Sequence, residues 1–404
     1  MRIAVTSNGP GEVAGWFRPL ARSLYARDPQ TEISLFLVPD DYATGYEAEL
    51  ARKLFPQANV FQPSAYLKFA LGGSLPDAPV RADIVLYLGG DLMHAMRLRS
   101  RLKARAATYK FSKHAYREKI ERFYAVDQSN VDQLLASGAS ANHIEIVGNL
   151  AVDGALIEAQ SPLEAGAPRD GILIMPGSRR YEVEHLIPFY VAMANRIVRE
   201  RPEIPIAFGL SPYTPLHDVA TAIEAGGDPR MFAEKGKLVE EGGATFLVSA
   251  DGRRFPILHN ALAAAAQARL VVTIPGTKCI EVAALGVPTI AMTPLNAPEL
   301  ITFNGPLTYL DRIPFVGAAL KREVAVRVSK RFKYHTQPNI DAGAMVMCEL
   351  HGSLTPGRVA RVALERFDDA EWLVKSRARL LEISAPHVGS ADRLGESLLR
   401  FSGS

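Results

Sequence analysis

The sequence predicts an α/β fold of two doubly wound, Rossmann-like domains facing a central cleft. Three observations carry that expectation. Short apolar, β-branched runs alternate with longer helical patterns along the chain, and continuous apolar strands separated by helices mean parallel sheets covered on both faces. The alternation comes in two series, divided by the Pro-, Gly- and Ala-containing stretch Glu158–Asp170, which lacks periodicity as linkers do. Each series opens alike, with a strand, a Gly-rich turn and a helix: I-A-V-T-S-N-G-P-G-E at 3–12 and I-L-I-M-P-G-S-R-R at 172–180.

The strands of the first series are expected at Ile3–Ser7, Ile33–Val38, Asn59–Phe61, Ile84–Leu88, Thr108–Phe111, Phe123–Val126 and Ile144–Val147. Helical patterns such as Gly15–Arg27 and Glu47–Leu54 lie between most of them. The second series gives strands at Gly171–Met175, Ile204–Gly209, Thr245–Val248, Leu270–Ile274 and Thr289–Met292. The expected domains are therefore 1–160 and 170–368, followed by C-terminal helices at 369–404. Pro386 and Gly389 interrupt that last pattern, Ala370–Phe401, leaving it free to cross back onto the first domain. Ligands of open α/β sheets bind beyond the carboxyl ends of the strands, so the two Gly-rich turns are expected to border the cleft.

Composition narrows the function. The 404 residues are 48% hydrophobic and 22% charged, a globular balance. A net charge of +3 and the lack of a recognised module argue against a nucleic-acid partner. The charge is uneven, however. Residues 93–122 hold ten Lys or Arg against two acids, which suggests a basic face for an anionic surface or ligand. Two cysteines, Cys279 and Cys348, make no disulfide framework and fit a reducing compartment. The N-terminus shows no apolar secretory segment, and no uncharged apolar run reaches the ~18 residues of a membrane span. The expected location is cytoplasmic, with any membrane contact peripheral.

Two turns carry the chemistry. Met175-Pro176-Gly177-Ser178-Arg179 follows a buried strand and precedes a helix, so backbone N–H groups and the Arg179 guanidinium suit a phosphate. Thr273-Ile274-Pro275-Gly276-Thr277-Lys278-Cys279-Ile280-Glu281 repeats the arrangement. Glu281, about one turn into its helix, is placed to accept both hydroxyls of a ribose. Either turn alone also reads as an ordinary β–α connection, with Ser178 capping a helix or Glu281 complementing the helix dipole. Together they suit a nucleotide diphosphate.

Several segments, in order, resemble lipid-A-disaccharide synthases: P-G-S-R-x-x-E-V-E at 176–184, G-T-x-x-x-E at 276–281, A-L-G-V-P at 284–288, P-N-I-x-A-G at 338–343 and E-L at 349–350. Weaker likeness lies in S-x-x-A-Y-R-x-K-I at 112–120 and V-G-N-x-x-V-D at 147–153. The resemblance implies the GT-B fold and an inverting, metal-independent glycosyltransferase with no cofactor. It would move a GlcNAc-type sugar from a UDP carrier to a lipid or lipid-linked acceptor on the inner face of the cytoplasmic membrane. It further implies that Gly177, Ser178 and Arg179 hold the donor diphosphate, that Gly276, Thr277 and Lys278 line the same pocket, that Glu281 binds ribose, and that Asn339 sits beside the donor sugar or phosphate. Gly11-Glu12 would match the family's first loop. Trp16 stands where that family has an acid, and Ala344 where it has an Arg.

Transfer to a hydroxyl needs a base. Asp91, after the strand Ile84–Leu88, and Glu12 are the candidates, with His94 as a possible orienting partner of Asp91 and Asn8, Gly9 and Gly11 on the acceptor side. A plain helix N-cap is the other reading of Asp91. Arg97, Arg101 and Arg105 recur every four residues and are expected on one helical face toward the membrane. A second such segment holds Phe315, Lys321, Arg322, Lys330 and Arg331 among apolar residues. No metal-ligand spacing occurs among the nine His. Two other readings stay open: a non-hydrolysing UDP-N-acetylglucosamine 2-epimerase, which shares the fold and the ribose-binding Glu, and a non-catalytic relative that binds nucleotide or lipid.

Overall fold

The structure is a computed structural model and describes residues 1–39, 47–112, 116, 119–177, 179, 181–211, 214–298 and 332–403. Two units emerge from the contacts, Met1–Ile157 with Pro386–Ser404, and Glu158–Ala385.

In the first unit the apolar runs form a parallel sheet: β1 (Arg2–Ser7), β2 (Glu32–Leu37), β3 (Asn59–Phe61), β4 (Ile84–Tyr87), β5 (Arg105–Tyr109), β6 (Arg122–Ala125) and β7 (Ile144–Ile146). The strand order is β3-β2-β1-β4-β5-β6-β7. Successive side chains on a strand point to opposite faces, and the core divides accordingly. Ile3, Val5 and Leu86 pack on one face with Phe17, Leu20 and Leu24. Ala4, Phe36 and Val85 pack on the other with Tyr66, Leu98 and Phe123. The chain steps outward from β1 through β2 and β3, then returns to place β4 on the other side of β1. The order thus reverses between β1 and β4.

The C-terminal helix Ser390–Gly403 completes this unit, burying Leu394, Leu398 and Phe401 beside β1. Asp153 anchors it by accepting from the Gly389 N–H at 2.8 Å and the Ala391 N–H at 2.7 Å.

The basic segment differs from expectation. The helix Leu92–Leu102 ends at Lys103, which adopts a left-handed conformation with φ 52°, and β5 starts two residues on. Arg105 therefore opens a strand, and the expected strand Thr108–Phe111 lies earlier, at Arg105–Tyr109. The cations are also dispersed. Arg101 donates to the Gly72 and Gly73 carbonyls. Arg105 donates to the Phe401 carbonyl at 2.6 Å and lies 3.6 Å from the centre of its ring. Arg99 pairs with Glu121. Arg97 is exposed on the helix. The three arginines Arg97, Arg101 and Arg105 do not share one helical face, because the helix stops before the third. Phe315, Lys321, Arg322, Lys330 and Arg331 lie outside the described residues. Among the described residues, no helix is long and apolar enough to cross a membrane.

The second unit contains β8 (Ile172–Met175), β9 (Ile206–Gly209), β10 (Gly236–Glu241), β11 (Ala244–Ser249), β12 (Arg254–Leu258), β13 (Leu270–Thr273), β14 (Thr289–Pro294) and β15 (Cys348–Gly352). They form one sheet in the order β10-β11-β12-β9-β8-β13-β14-β15. From β12 to β15 all pairs are parallel. The run at Thr245–Val248, expected in the parallel sheet, lies instead in β11 at the centre of an antiparallel meander. Gly242 and Gly243, at φ 60° and 79°, form the two-residue hairpin turn that such φ values favour. This sheet reverses its order between β8 and β13.

Both units follow their first strand with a glycine turn and then a π-helical turn, Val13–Phe17 and Glu182–Leu186. In the first unit that turn is crossed closely by the helix Leu150–Glu158. A Cβ on Gly154 would stand 2.8–3.2 Å from the backbone of Gly15. Gly154→Ala is therefore expected to destabilise the protein by about 1–3 kcal/mol, read as a lowered thermal midpoint. An unchanged midpoint would refute this close packing.

Candidate functional site

In the second unit the turns after β8 and β13 lie side by side, because the strands are neighbours in register from Leu270↔Ile172 to Thr273↔Met175. The buried Thr273 hydroxyl donates to the Met175 carbonyl at 2.8 Å, tying the two strand ends together. The position is the sheet's order reversal, where open α/β sheets hold their ligands.

The first turn admits only glycine at 177. Its φ is +98°, and a Cβ there would fall 2.1 Å from Glu182 Oε2. Glu182 is buried and accepts the Arg179 N–H at 2.8 Å, the spacing at which a carboxylate satisfies the free N–H groups of a helix start. Arg179 is left exposed beside the turn. Ser178 lies outside the described residues. The second turn is open: nothing lies within 4 Å of where a Gly276 Cβ would be. Gly276 and Thr277 are exposed at the start of the helix Thr277–Ala284, so a ligand can approach their backbone. Glu281 is buried and pairs with Lys278 Nζ at 2.7 Å.

A cavity of about 220 Å³ lies at the carboxyl edge of these strands. Arg179, Tyr181 and Glu182 line it after β8, Ile274 and Pro275 after β13, Thr293 and Pro294 at the end of β14, and His335 from the segment before β15.

Asn339 is placed elsewhere than expected. It is fully buried, its NH₂ donates to Met347 O and Glu349 Oε1, and its carbonyl accepts the N–H groups of Val346 and Met347. Both donors and both acceptor positions of the amide are used, so no polar atom remains for a donor sugar or phosphate. Asn339 instead belongs to a clip centred on buried Glu349, which also accepts from His335 N, Thr336 N and Thr336 Oγ1.

In the first unit the corresponding reversal gathers Asn8, Gly9 and Glu12 after β1 with Tyr87 at the end of β4 and Gly89, Gly90 and Asp91 after it. A Cβ on Gly9 would meet Glu12 Oε2 at 2.6 Å, and one on Gly89 would meet Asn8 Oδ1 at 2.5 Å and Glu12 Cγ at 3.2 Å. Bare backbone at both positions lets the Glu12 side chain lie across the two strand ends. Gly11 is exposed with nothing near its Cβ position. Tyr87 donates to the Gly90 carbonyl at 2.8 Å. Burial, followed by the charges of Asp91 and Glu12, pushes its phenol up to about 12, so it stays protonated.

Asp91 is exposed and caps the helix Leu92–Leu102, accepting the Met93 N–H at 2.8 Å. His94 does not orient it through Nδ1. That atom is hydrogen-bonded to the buried Tyr66 hydroxyl at 2.6 Å, and the two rings stack edge to face at 5.1 Å. Burial holds the His94 pKa below its usual value. The helix turns this residue toward the core, leaving Asp91 on the surface. Trp16, in the π turn, packs edge to face on Tyr109 at 5.6 Å, with Lys110 Nζ 5.3 Å from its ring centre. Among the described residues no three His, Cys, Asp or Glu side chains gather as a metal site would require.

Tyr181, Glu182, Thr293 and His335 were absent from the site expected from sequence. Glu182 was legible as the Glu of P-G-S-R-x-x-E. His335 had no such mark, since its place depends on the order of β8, β13, β14 and β15 in the sheet.

No protein-family model matches the sequence, and no curated protein does. Solved structures do. S. aureus MnaA in complex with UDP matches over 100% of this chain and 97% of its own, at TM-score 0.60 and 12% identity. UDP-GlcNAc 2-epimerase from Neisseria meningitidis bound to UDP-GlcNAc matches over 99% and 100%, at TM-score 0.54 and 10% identity. The Methanocaldococcus jannaschii UDP-GlcNAc 2-epimerase in complex with UDP-GlcNAc and UDP matches over 96% and 100%, at TM-score 0.50 and 14% identity.

The fold is GT-B: two Rossmann-like α/β sheets. These matches correct the resemblance to lipid-A-disaccharide synthases. The whole-chain likeness is to UDP-GlcNAc 2-epimerases, so the glycosyltransferase class and the role in lipid A and glycolipid synthesis are set aside. The physical reason lies in the motifs. A glycine turn with an Arg and a helix start with a buried Glu suit a nucleotide diphosphate whatever happens to its sugar, so they do not separate a transferase from an isomerase.

The Asn339 clip yields a stability prediction. Asn339→Ala leaves Glu349 and two N–H groups short of partners and is expected to cost roughly 2–4 kcal/mol. Chemical denaturation should show a clearly lowered midpoint; a midpoint equal to wild type would mean that the clip does not stabilise the fold.

Proposed function

We propose that the protein is an enzyme acting on a UDP-sugar, an isomerase of the non-hydrolysing UDP-N-acetylglucosamine 2-epimerase type. The observation that carries the nucleotide-sugar part of this reading is the pair of helix-start turns, Gly177–Arg179 and Gly276–Glu281, side by side at the order reversal of a sheet. It is supported by the whole-chain likeness to proteins bound to UDP or UDP-GlcNAc. Arg179 and the N–H groups at Gly276 and Thr277 take the diphosphate, where fixed donors stabilise developing negative charge. Glu281, steadied by Lys278, takes the ribose hydroxyls. Inverting the C2 centre requires a proton to leave that carbon as the C1–O bond to UDP breaks, the electron pair forming a C1–C2 double bond. UDP then adds back at C1 as a proton returns to C2 on the other face. The proton transfers are work for carboxylates or a phenol. Glu12, which lies across the ends of β1 and β4, is the first candidate, and Asp91, after β4, the second.

The test is incubation with UDP-GlcNAc in D₂O, followed by NMR. Deuterium is expected at C2, with the 2-epimer as product. Arg179→Ala and Glu281→Ala should each lower kcat/KM at least about tenfold through weaker binding. Glu12→Gln should lower kcat while UDP affinity is kept. UDP binding without any C2 exchange or epimer would sink the isomerase reading and favour a nucleotide-binding protein without turnover.

A further inference from the structure

His335 belongs to neither helix-start turn, yet it lines the 220 Å³ cavity together with Arg179. Its backbone is fixed, because its N–H donates to Glu349 Oε2 at 2.9 Å and the next residue is held twice more by the same carboxylate. Its ring lies against that of His351, with centroids 5.0 Å apart. Among the described residues, its Nε2 is buried without a hydrogen-bond partner. A buried polar atom left in that state is costly and uncommon in native proteins, and a bound ligand is one way of satisfying it. Burial holds the imidazole pKa below its usual value, against the pull of Glu349 and with a further push from His351. The ring is therefore neutral at pH 7, and Nε2 can carry the N–H.

The neighbours choose the ligand's chemistry. The cavity is smaller than the ~300 Å³ at the lower end of whole-ligand pockets, so it takes one end of a nucleotide-sugar. Arg179 brings a cation to the lining, and Tyr181 and Thr293 are its hydroxyl-bearing residues. Among the described residues, the one carboxylate in the lining, Glu182, already accepts the Arg179 N–H. Such a donor-rich end suits phosphate oxygens.

We infer that His335 is a ligand-contacting residue of this cavity, its Nε2 donating to the diphosphate of the bound nucleotide beside Arg179. The inference rests on the nucleotide-sugar reading of the site but not on epimerase chemistry, and inorganic pyrophosphate tests it without the nucleoside. Calorimetric titrations of the full chain with UDP, uridine and pyrophosphate, on wild type, His335→Ala and His335→Gln, decide it. His335→Ala is expected to weaken UDP and pyrophosphate about tenfold and to leave uridine unchanged. His335→Gln, which keeps a donor, recovers part of the loss.

Equal pyrophosphate affinity in wild type and His335→Ala would overturn the inference. So would a loss for uridine as large as that for UDP, or a wild type that binds neither UDP nor pyrophosphate. Pyrophosphate binding that depends on His335, in a protein showing no C2 exchange, would remove the epimerase reading and leave this contact standing.

Discussion

A parallel sheet whose strand order reverses leaves two neighbouring strand ends from which the chain departs in opposite directions, and the helix-start turns and candidate bases of this protein gather at such ends. At β1 and β4 the ends present Asn8, Glu12, Tyr87 and Asp91. At β8 and β13 they present Arg179, Gly276, Thr277 and Glu281. The crevice is a consequence of topology and not of any single side chain. The side chains decide what can enter it.

What they decide depends on close packing around bare backbone. Glu182 fills the space that any side chain at 177 would need, and accepts the N–H of Arg179. Glu12 lies over Gly9 and against the Gly89 position in the same way. In both units a carboxylate is folded against glycine, and in the second it also holds the N–H of Arg179. Thr273 adds the cross-link that keeps the two turns of the second unit together. On β15, Glu349 has a comparable effect, fixing the segment that carries His335.

Much of this was legible in the chain. The alternation of apolar runs and helices marked the parallel strands, because strands buried on both faces must be apolar throughout. The turns at Gly177 and Gly276 were legible because positive φ, or close backbone approach, demands glycine. Other features were not. The meander β10–β12 is half-exposed and polar in its first strand, so it lacks the apolar run that betrays a buried strand. Arg97, Arg101 and Arg105 have helical spacing, but Lys103 ends the helix between the second and third. Asn339 sits in a motif that suggested a ligand contact, yet its hydrogen bonds all turn inward. A short motif reports that a residue type is needed at a place; it does not say whether the need is binding or architecture.

The sequence by itself determined the two-sheet α/β architecture and the two phosphate-suited turns, since both follow from local rules of periodicity, glycine conformation and helix-end charge. Only the tertiary structure decided which residues share a cavity. His335 meets Arg179 because β8, β13, β14 and β15 are neighbours in one sheet, although 156 positions separate the two residues in the chain. Asn339 and His94 were taken out of the site by hydrogen bonds to Glu349 and Tyr66, partners set by packing. Nearness across a sheet is fixed by strand order, and strand order is settled by how the whole core closes.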